Sequence, residues 1–192
     1  MLIIREVLGF SAKETAELLE TTPQSVNSAM QRARKTLDEH APEESQQESA
    51  RALGDEALTE LVERYADAWE RGDVDTIVGM LSDDVLVTMP PMATWFDGRA
   101  AAAYFLREIA FAHVWDDERF VAGERRVRLV PARAAAQPAL ASYRWDDDAQ
   151  AYVPMAIQVL WLRDGRISEI DGFVFPQDFP LYGLPERLEP AP

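Results

Sequence analysis

The sequence predicts an α+β protein in which an N-terminal helix-turn-helix precedes helices packed on a curved antiparallel sheet. Three observations indicate this class. Apolar residues recur at helical spacing in residues 11–40 and 55–71, whereas residues 126–174 contain four short apolar runs typical of strands. The pair Asp164-Gly165 between the last two runs is a strong hairpin signal. Strands that follow one another as hairpins, with helices on one face, are typical of α+β folds.

Composition narrows the function before any motif is considered. The chain of 192 residues is 47% hydrophobic, enough for a packed core, and its net charge is −15. Residues 1–40 hold five Lys or Arg and six Asp or Glu, so nearly all the excess negative charge lies in residues 41–192. No cysteine is present and the two histidines are far apart, which argues against metal sites and thiol chemistry. We therefore expect no cofactor, no membrane segment, a cytoplasmic protein, and a nucleic-acid surface only in residues 1–40.

Start signals for two helices lie in the N-terminal segment. Ser11 and Glu14 match a capping box at the start of the first helix. Thr22 and Pro23 supply an N-cap and a proline at the first position of the second helix, which is predicted to run to about residue 40. The predicted buried stripe of the second helix consists of Val26, Ala29, Met30, Ala33 and Leu37. Two helices joined by a tight turn form the helix-turn-helix motif that reads DNA.

The opposite face of the second helix carries side chains suited to DNA. Amide and hydroxyl groups read base edges, and basic groups pair with phosphates. Three phosphate contacts predict a salt slope of about −3, too weak for tight binding without a further partner. An ordinary helical hairpin with a solvated basic face is the alternative interpretation. The candidate DNA-binding residues are Thr22, Gln24, Ser25, Asn27 and Ser28 near base edges and the helix start, with Arg32, Arg34 and Lys35 near phosphates.

The rest of the chain divides into a linker, a second domain and a tail. Residues 41–53 are polar and lack periodicity, which predicts a linker. The domain spans residues 54–175, and the proline-broken tail of residues 176–192 cannot form a long helix. Both a docking segment and a stretch laid over the domain's own core fit the tail. The predicted helices cover residues 55–71, 74–81 and 98–112, and the predicted strands cover residues 85–89, 126–130, 139–145, 153–163 and 166–174.

Aromatic residues and one carboxylate in this domain are candidates for a ligand pocket. Asp171 lies on a late strand beside Ile170 and Phe173. Apolar surroundings can set the pKa of a carboxylate so that it acts as a general base. Small-molecule or peptide binding and a purely structural role are the alternatives, because no second acid–base partner accompanies Asp171. We assign no catalytic residue, and the acidic runs at 116–118 and 146–148 lack metal-ligand spacing. The candidate pocket residues are Tyr65, Trp69, Met89, Trp95, Phe96, Tyr104 and Asp171.

Two parts of the chain resemble known families. Residues 5–11 (REVLGFS), 16–19 (AELL) and 25–34 (SVNSAMQRAR) resemble region 4 of extracytoplasmic-function (ECF) sigma factors. Residues 54–175 resemble a SnoaL-like domain of the NTF2-like superfamily, chiefly through residues 90–99 (PPMATWFDGR) and 167–173 (ISEIDGF). Sigma region 4 followed by a SnoaL-like extension is a known sigma-factor subgroup, so the joint order is more specific than either likeness alone.

The resemblance implies a function and partners. It implies recognition of a promoter −35 element, a partnership with RNA polymerase core, and regulation of transcription initiation by an NTF2-like cone of helices on a curved sheet. It also implies that the region 2 of such factors is missing from this sequence, as expected for a fragment, a misplaced start or a degenerate relative. A small-molecule ligand and a homodimer through the NTF2-like domain are left open. The alternative function is a small-molecule-binding protein or an isomerase- or cyclase-type enzyme with a vestigial helix-turn-helix.

Overall fold

The computed structural model describes residues 1–40, 49, 52–112, 126–134 and 137–190, with the backbone alone for residues 38–40. The chain divides into two compact units, Met1–Glu44 and Ser45–Pro192. The predicted linker, residues 41–53, falls outside the described residues except for positions 49, 52 and 53. None of the helices in the described ranges has the length and apolar character that crossing a bilayer requires.

The first unit is the predicted helix-turn-helix. Helix α1 covers Ala12–Leu18, helix α2 covers Pro23–His40, and a π-helical turn at Ile3–Val7 precedes them. The capping box is confirmed, because the Ser11 N–H donates to Glu14 Oε2 (2.7 Å) and the Glu14 N–H donates to Ser11 Oγ (3.2 Å). Both helices therefore begin at the residues that the sequence indicates.

The core of this unit is small and ends before the second helix does. Ala16, Val26 and Met30 are buried together, as the predicted stripe requires. Leu37, predicted to be buried, is 54% exposed, because this core reaches only to Met30, about two helical turns earlier.

The second unit contains three helices and a six-stranded sheet. The strand order is β2-β1-β6-β5-β4-β3. A π-helical turn at Leu106–Ala110 continues the third of these helices. The elements are α3 (Asp55–Glu70), α4 (Val74–Met80), β1 (Leu81–Thr88), β2 (Trp95–Asp97), α5 (Arg99–Phe105), β3 (Val127–Ala134), β4 (Gln137–Asp146), β5 (Ala151–Arg163) and β6 (Arg166–Phe173).

Strand pairing agrees with the predicted sheet except at one position. The β5–β6 hairpin turns at Asp164 and Gly165, whose φ angles of 52° and 71° are those of a type I′ turn. Pairing in the described sheet is antiparallel except between β1 and β6, which are parallel, so the prediction of an antiparallel sheet is wrong for this pair. These two strands are separated by a helix and four strands, so no hairpin fixes their relative direction.

The two faces of the sheet are covered by different parts of the chain. One face packs against α3, α4 and α5 in the main core, which includes Tyr65, Ile77 and Leu106. The tail covers part of the other face, called the outer face below. Phe179 of the 3₁₀ helix Pro176–Tyr182 is fully buried and packs edge-on against the Tyr143 ring at 5.2 Å. The tail thus completes a second apolar cluster on the domain's own sheet.

The uncovered part of the outer face carries two carboxylates of β6. Asp171 accepts hydrogen bonds from the Thr88 hydroxyl and from Trp161 Nε1 (2.7 Å). Glu169 lies two residues earlier on the same face, as the strand period requires. Partial burial and, secondarily, the neighbouring Asp171 carboxylate raise the pKa of Glu169.

The buried Phe179 allows a matched test of the tail. We expect Phe179→Ala to lower the free energy of unfolding by about 3–5 kcal/mol, because it removes a fully buried ring and leaves a cavity. Leu181→Ala, in the same 3₁₀ helix but 82% exposed, should change it by less than about 0.5 kcal/mol. Urea unfolding followed by tryptophan fluorescence measures both, since all five tryptophans lie in residues 54–175. Equal effects would show that the tail does not pack in solution.

The raised pKa of Glu169 predicts a stability difference that depends on pH. Ionised Glu169 destabilises the folded state, so stability is lost as pH rises from the ordinary glutamate pKa of about 4.3 through the raised value. Glu169→Gln should therefore be more stable than the wild type at pH 8, with a difference that shrinks towards pH 5 in urea unfolding.

Asp73, whose pKa is shifted in the opposite direction, provides the control. The N–H and the hydroxyl of Thr76 donate to Asp73 and hold its pKa below the usual range. Asp73→Asn should lose stability by a constant amount between pH 5 and 8, since that range lies above both the unfolded and the folded pKa of Asp73. A Glu169→Gln effect that is equally independent of pH would contradict the prediction.

Candidate functional site

Helix α2 presents one polar face to solvent. The side chains of all eight predicted DNA-binding residues are exposed. The helical period of 3.6 residues places Gln24, Ser28 and Lys35 opposite the buried Val26 and Met30, and the other predicted residues of the helix to either side of them. Gln24, Ser28 and Lys35 follow the middle of this face, Ser25 and Arg32 lie along one side, and Asn27 and Arg34 lie along the other.

The start of α2 is held by its cap. Thr22 Oγ1 accepts the Ser25 N–H at 3.1 Å and donates to Ser25 Oγ at 2.9 Å. These two hydroxyls therefore satisfy each other and one of the free N–H groups of the first turn. Thr22 thus fixes where the helix begins, and the amide side chains of Gln24 and Asn27 extend from its first and second turns.

One predicted phosphate contact already has an acidic partner. Arg34 Nη2 forms an ion pair with Glu6 Oε1 of the N-terminal π-helical turn, and both side chains are largely exposed. An exposed pair of this kind contributes only about 0–1 kcal/mol, so a phosphate can replace the carboxylate. Sequence reasoning missed this pair because the two residues are 28 positions apart and neither motif contains both.

The second unit encloses a cavity of about 220 Å³. It lies between α3, the end of α5 and the sheet face opposite the tail. None of the residues that line it in the described part of the chain has a charged side chain. The lining consists of Tyr65, Trp69, Val87, Thr88, Met89, Phe105, Leu106, Ile109, Ala110, Met155, Ala156, Gln158, Ile170, Gly172 and Val174.

Three buried polar side chains interrupt this apolar wall. The Tyr65 hydroxyl donates to Gln158 Oε1 at 2.7 Å. Burial raises the pKa of Tyr65, an effect that a hydrogen bond from the Trp69 side chain offsets in part, so the phenol stays neutral. The Trp69 Nε1–H is buried, and its hydrogen bond to the Tyr65 hydroxyl oxygen lies at the limit of good geometry. The cavity therefore offers hydrogen bonds but no charge.

Three of the predicted pocket residues, Tyr65, Trp69 and Met89, line the cavity, and four do not. Trp95 and Tyr104 are mostly exposed. Phe96 packs behind the wall, with its ring 4.8 Å from that of Phe105. For these residues the aromatic character indicated burial, but the helix and strand periods turn them away from the cavity.

The placement of Asp171 corrects the prediction that it belongs to the pocket. Successive side chains of a strand point to opposite faces, and Ile170 and Gly172 both line the cavity. Asp171 therefore lies on the outer face, bonded to Thr88 and Trp161. It is not placed to act as a general base on a molecule in the cavity.

Sequence reasoning missed Gln158, whose carboxamide is the acceptor in the cavity wall. A signal was present, because Gln158 is the single polar residue in the run Ala156–Leu162, which is otherwise apolar. A lone polar side chain in a buried strand requires a partner, and here Tyr65 supplies it. Among the described residues, no cluster of three or more His, Cys, Asp or Glu side chains could hold a metal ion.

Comparisons with known proteins match two parts of the chain to different families. Residues 1–37 match the family model of Sigma-70, region 4, and residues 62–170 match that of the SnoaL-like domain. The ECF RNA polymerase sigma factor SigG of Mycobacterium tuberculosis is 29% identical over 188 residues, which are 98% of this chain and 47% of SigG. The chain spans about half the length of the curated relatives it matches.

Solved structures with a similar chain trace include an ECF sigma factor and a SnoaL-like protein. The M. tuberculosis extracytoplasmic function sigma factor SigJ aligns with 96% of this chain and 60% of its own, at 23% identity and a TM-score of 0.48. A SnoaL-like protein of unknown function from Burkholderia thailandensis aligns with 63% of this chain and 97% of its own, at 14% identity and a TM-score of 0.46. Because the SnoaL-like match covers more than half of its residues, the chain belongs to the SnoaL-like family, here joined to a sigma-70 region 4 segment.

Proposed function

We propose that this chain contacts a promoter −35 element through α2, as part of an ECF-type RNA polymerase sigma factor, and that its SnoaL-like domain regulates transcription initiation. The observation that carries the proposal is the exposed polar face of α2, which lies within the segment matched by sigma-70 region 4. The similarity to SigG along nearly the whole chain supports it. Its partners are then promoter DNA and RNA polymerase core, in the cytoplasm.

The side chains of this face suit separate tasks on DNA. Gln24 and Asn27 carry amides that can donate to and accept from one base edge, as in the pairing of such amides with adenine. Arg32 and Lys35 lie five and eight residues after Asn27 and suit phosphates on the groove wall. Arg34 joins them once a phosphate replaces the Glu6 carboxylate.

Charge limits how tightly this face binds without help. Three basic side chains give a salt slope of about −3, and the strongly acidic remainder of the chain repels DNA at long range. Stable promoter binding then needs a second interaction, which RNA polymerase core would provide. A weak contact that depends on a partner is open to regulation by an attached domain.

Catalysis by the second domain is not part of this proposal. The cavity wall has hydrogen-bonding groups but no carboxylate among its described residues, and Asp171 lies on the opposite face of the sheet. An isomerase or cyclase of this fold type needs a base beside its substrate. The cavity itself favours a second role, the binding of a small molecule.

The proposed DNA face can be tested by its salt dependence. We expect the full chain at low salt, where phosphate contacts are strongest, to enrich a sequence motif from a randomised duplex pool. Fluorescence anisotropy on that duplex should give a slope of about −3 for log K against log salt concentration. Arg32→Ala should reduce the slope by about 1, because it removes one phosphate contact.

A second cation in the same unit is the control. Lys13 is exposed on α1, outside the proposed face, so Lys13→Ala makes the same charge change and should leave the slope within about 0.3 of the wild type. Gln24→Ala should instead lose about 1–3 kcal/mol of discrimination at one base pair with an unchanged slope. If no motif is enriched, or if Lys13→Ala and Arg32→Ala act alike, α2 does not read a promoter.

The uneven charge of the chain predicts electrostatic inhibition of DNA binding. Glu43, Glu44 and Glu48 follow α2 in the sequence, and changing all three to glutamine removes three negative charges close to it along the chain. We expect the triple variant to bind the selected duplex several-fold more tightly at low salt, because less negative charge repels the phosphates. The gain should disappear above about 0.3 M salt, where screening is strong.

A variant with the same charge change separates local from general repulsion. Glu56, Glu60 and Glu63 are exposed on α3, and their replacement by glutamine also removes three negative charges. A smaller gain from this variant indicates that the charges next to α2 act locally, and an equal gain indicates the field of the whole chain. No gain from either variant would exclude electrostatic inhibition.

A further inference from the structure

The part of the outer face that the tail leaves uncovered spans four strands. Its side chains share one face, because the residues that alternate with them, such as Val87, Phe96 and Ile170, pack in the main core. Cross-strand neighbours form two rows over it, one of Trp95, Thr88 and Asp171 and the other of Asp97, Leu86, Glu169 and Trp161. We call this surface the acidic face and define it by Trp95, Asp97, Glu169, Asp171 and Trp161.

The carboxylates of the acidic face have no cationic partner among the described residues. Asp171 accepts hydrogen bonds from two neutral donors, the Thr88 hydroxyl and the Trp161 indole. Partial burial and, secondarily, the neighbouring Asp171 carboxylate raise the pKa of Glu169, and no cation in the described part of the chain offsets either effect. Two close carboxylates without a counter-charge favour the approach of a cation.

Neighbouring acidic side chains of the same sheet have arginine partners of their own. On β1, Asp84 pairs with Arg163 of β5, and Asp83 pairs with Arg99 at the start of α5 at 2.9 Å. These two arginines are therefore already engaged with carboxylates. The cation that would complete the acidic face then has to come from a binding partner.

Two tryptophans flank the carboxylates of this face. Trp95 lies on the edge strand β2 and is 66% exposed. Trp161 lies on β5, and its Nε1–H bond to Asp171 (2.7 Å) holds its ring beside that carboxylate. Three strand spacings separate β2 from β5, which is about 14 Å. Tryptophan is enriched at the hot spots of protein interfaces, so the pair indicates a protein-binding surface.

The charge of this face determines what can occupy it. A second copy in a two-fold dimer would bring the same carboxylates together, and each chain has a net charge of −15. Nucleic acid is repelled for the same reason. A free amine is too small to reach from one tryptophan to the other, whereas about four residues of extended chain span 14 Å. The occupant that fits is a basic segment of another protein.

Arginine suits this face better than lysine. The planar guanidinium pairs with two carboxylate oxygens at once and stacks on aromatic rings, whereas the ammonium of lysine is a compact, strongly hydrated charge. Glu169 and Asp171 supply the oxygens in the middle of the face, and Trp95 and Trp161 supply rings on either side.

We propose that the acidic face docks an arginine-containing segment of another protein, whose guanidinium groups pair with Glu169 and Asp171 and stack on Trp95 and Trp161. The surface belongs to the second unit alone and lies on the opposite side of the sheet from the cavity. It adds a protein partner to the proposed function. Its binding requires neither DNA nor polymerase, so it is measured independently of that function.

Three labelled peptides test the proposal on the full chain by fluorescence anisotropy at pH 8. The peptide RGRGR carries arginine at alternate positions, which an extended chain places on one side. KGKGK has the same charge, and a third peptide with citrulline in place of arginine has nearly the same shape without charge. At about 0.15 M salt, where long-range attraction is screened, RGRGR should bind at least about threefold more tightly than KGKGK and tenfold more tightly than the citrulline peptide.

Two variants with the same charge change locate the binding. Glu169→Gln should weaken RGRGR about fivefold, because one ion pair is lost, and should leave the citrulline peptide unchanged. Glu63 is exposed on α3, away from the acidic face, and Glu63→Gln should change the RGRGR affinity by less than about twofold. A merely structural effect of Glu169→Gln would not distinguish the two peptides.

Two aromatic variants test the stacking. Trp95→Leu keeps an apolar side chain and removes the ring, and it should weaken RGRGR about threefold, the effect of one cation–π contact at an exposed site. Tyr104 is 58% exposed on α5, which packs against the other face of the sheet. Tyr104→Leu should therefore leave the RGRGR affinity unchanged.

The proposal is overturned if RGRGR does not bind saturably, if either control peptide binds as tightly, or if Glu169→Gln and Glu63→Gln act alike. Arginine amide binding as tightly as RGRGR would indicate a small-molecule site instead. A dimer in sedimentation that Trp95→Leu dissociates would assign the face to a second copy. A failure to bind DNA with intact RGRGR binding would reject the promoter proposal alone.

Discussion

The buried hydrogen bond between the Tyr65 hydroxyl and the Gln158 carboxamide joins the helical layer of the second unit to its sheet. The two residues are 93 positions apart, on α3 and β5, and the bond is 2.7 Å long. Each group satisfies the other, so the core holds two polar side chains without the cost of an unpaired one. The arrangement places hydrogen-bonding groups in an otherwise apolar cavity, and Trp69, one turn along α3, adds an indole N–H beside the Tyr65 hydroxyl.

The sheet separates the cavity from the charged part of the domain. Strand alternation in β6 sends Ile170 and Gly172 to the cavity and Asp171 to the outer face. The tail then covers the neighbouring part of the outer face through Phe179. Because the tail occupies that area, it is not free for a second copy of the sheet, and a face-to-face homodimer would have to use the remaining surface or displace the tail.

Patterns within a few residues were enough to predict much of the fold. The capping box at Ser11, the proline start of α2 and the Asp164-Gly165 turn each depend on neighbours in the chain, and all three form as predicted. Strand β2 was not predicted, because three residues are too few for an alternating pattern to be recognised. The parallel pairing of β1 with β6 depends on the path of the chain between them, which no local pattern encodes.

Prediction of the candidate sites was also limited to what local sequence patterns encode. The exposed face of α2 follows from the helical period, so its eight residues could be chosen from the sequence, but the Glu6 partner of Arg34 could not. In the second unit, aromatic character alone was a poor guide to the cavity, since Trp95 and Tyr104 are exposed. Applying the strand period to β6 would have placed Asp171 opposite Ile170, because an apolar residue in that run is expected to face the core.

Because the proposed DNA contact is weak, a small coupling free energy is enough for the second unit to regulate it. With about three phosphate contacts, promoter affinity depends on free energies of a few kcal/mol, and 1.4 kcal/mol is a factor of ten. Typical coupling free energies between two ligand sites are about 1–3 kcal/mol. A ligand of the cavity whose affinities for two states of the domain differ by about five- to 150-fold supplies a coupling free energy of this size. A regulatory domain of this kind therefore needs no catalytic group, only a ligand that distinguishes two states of the domain.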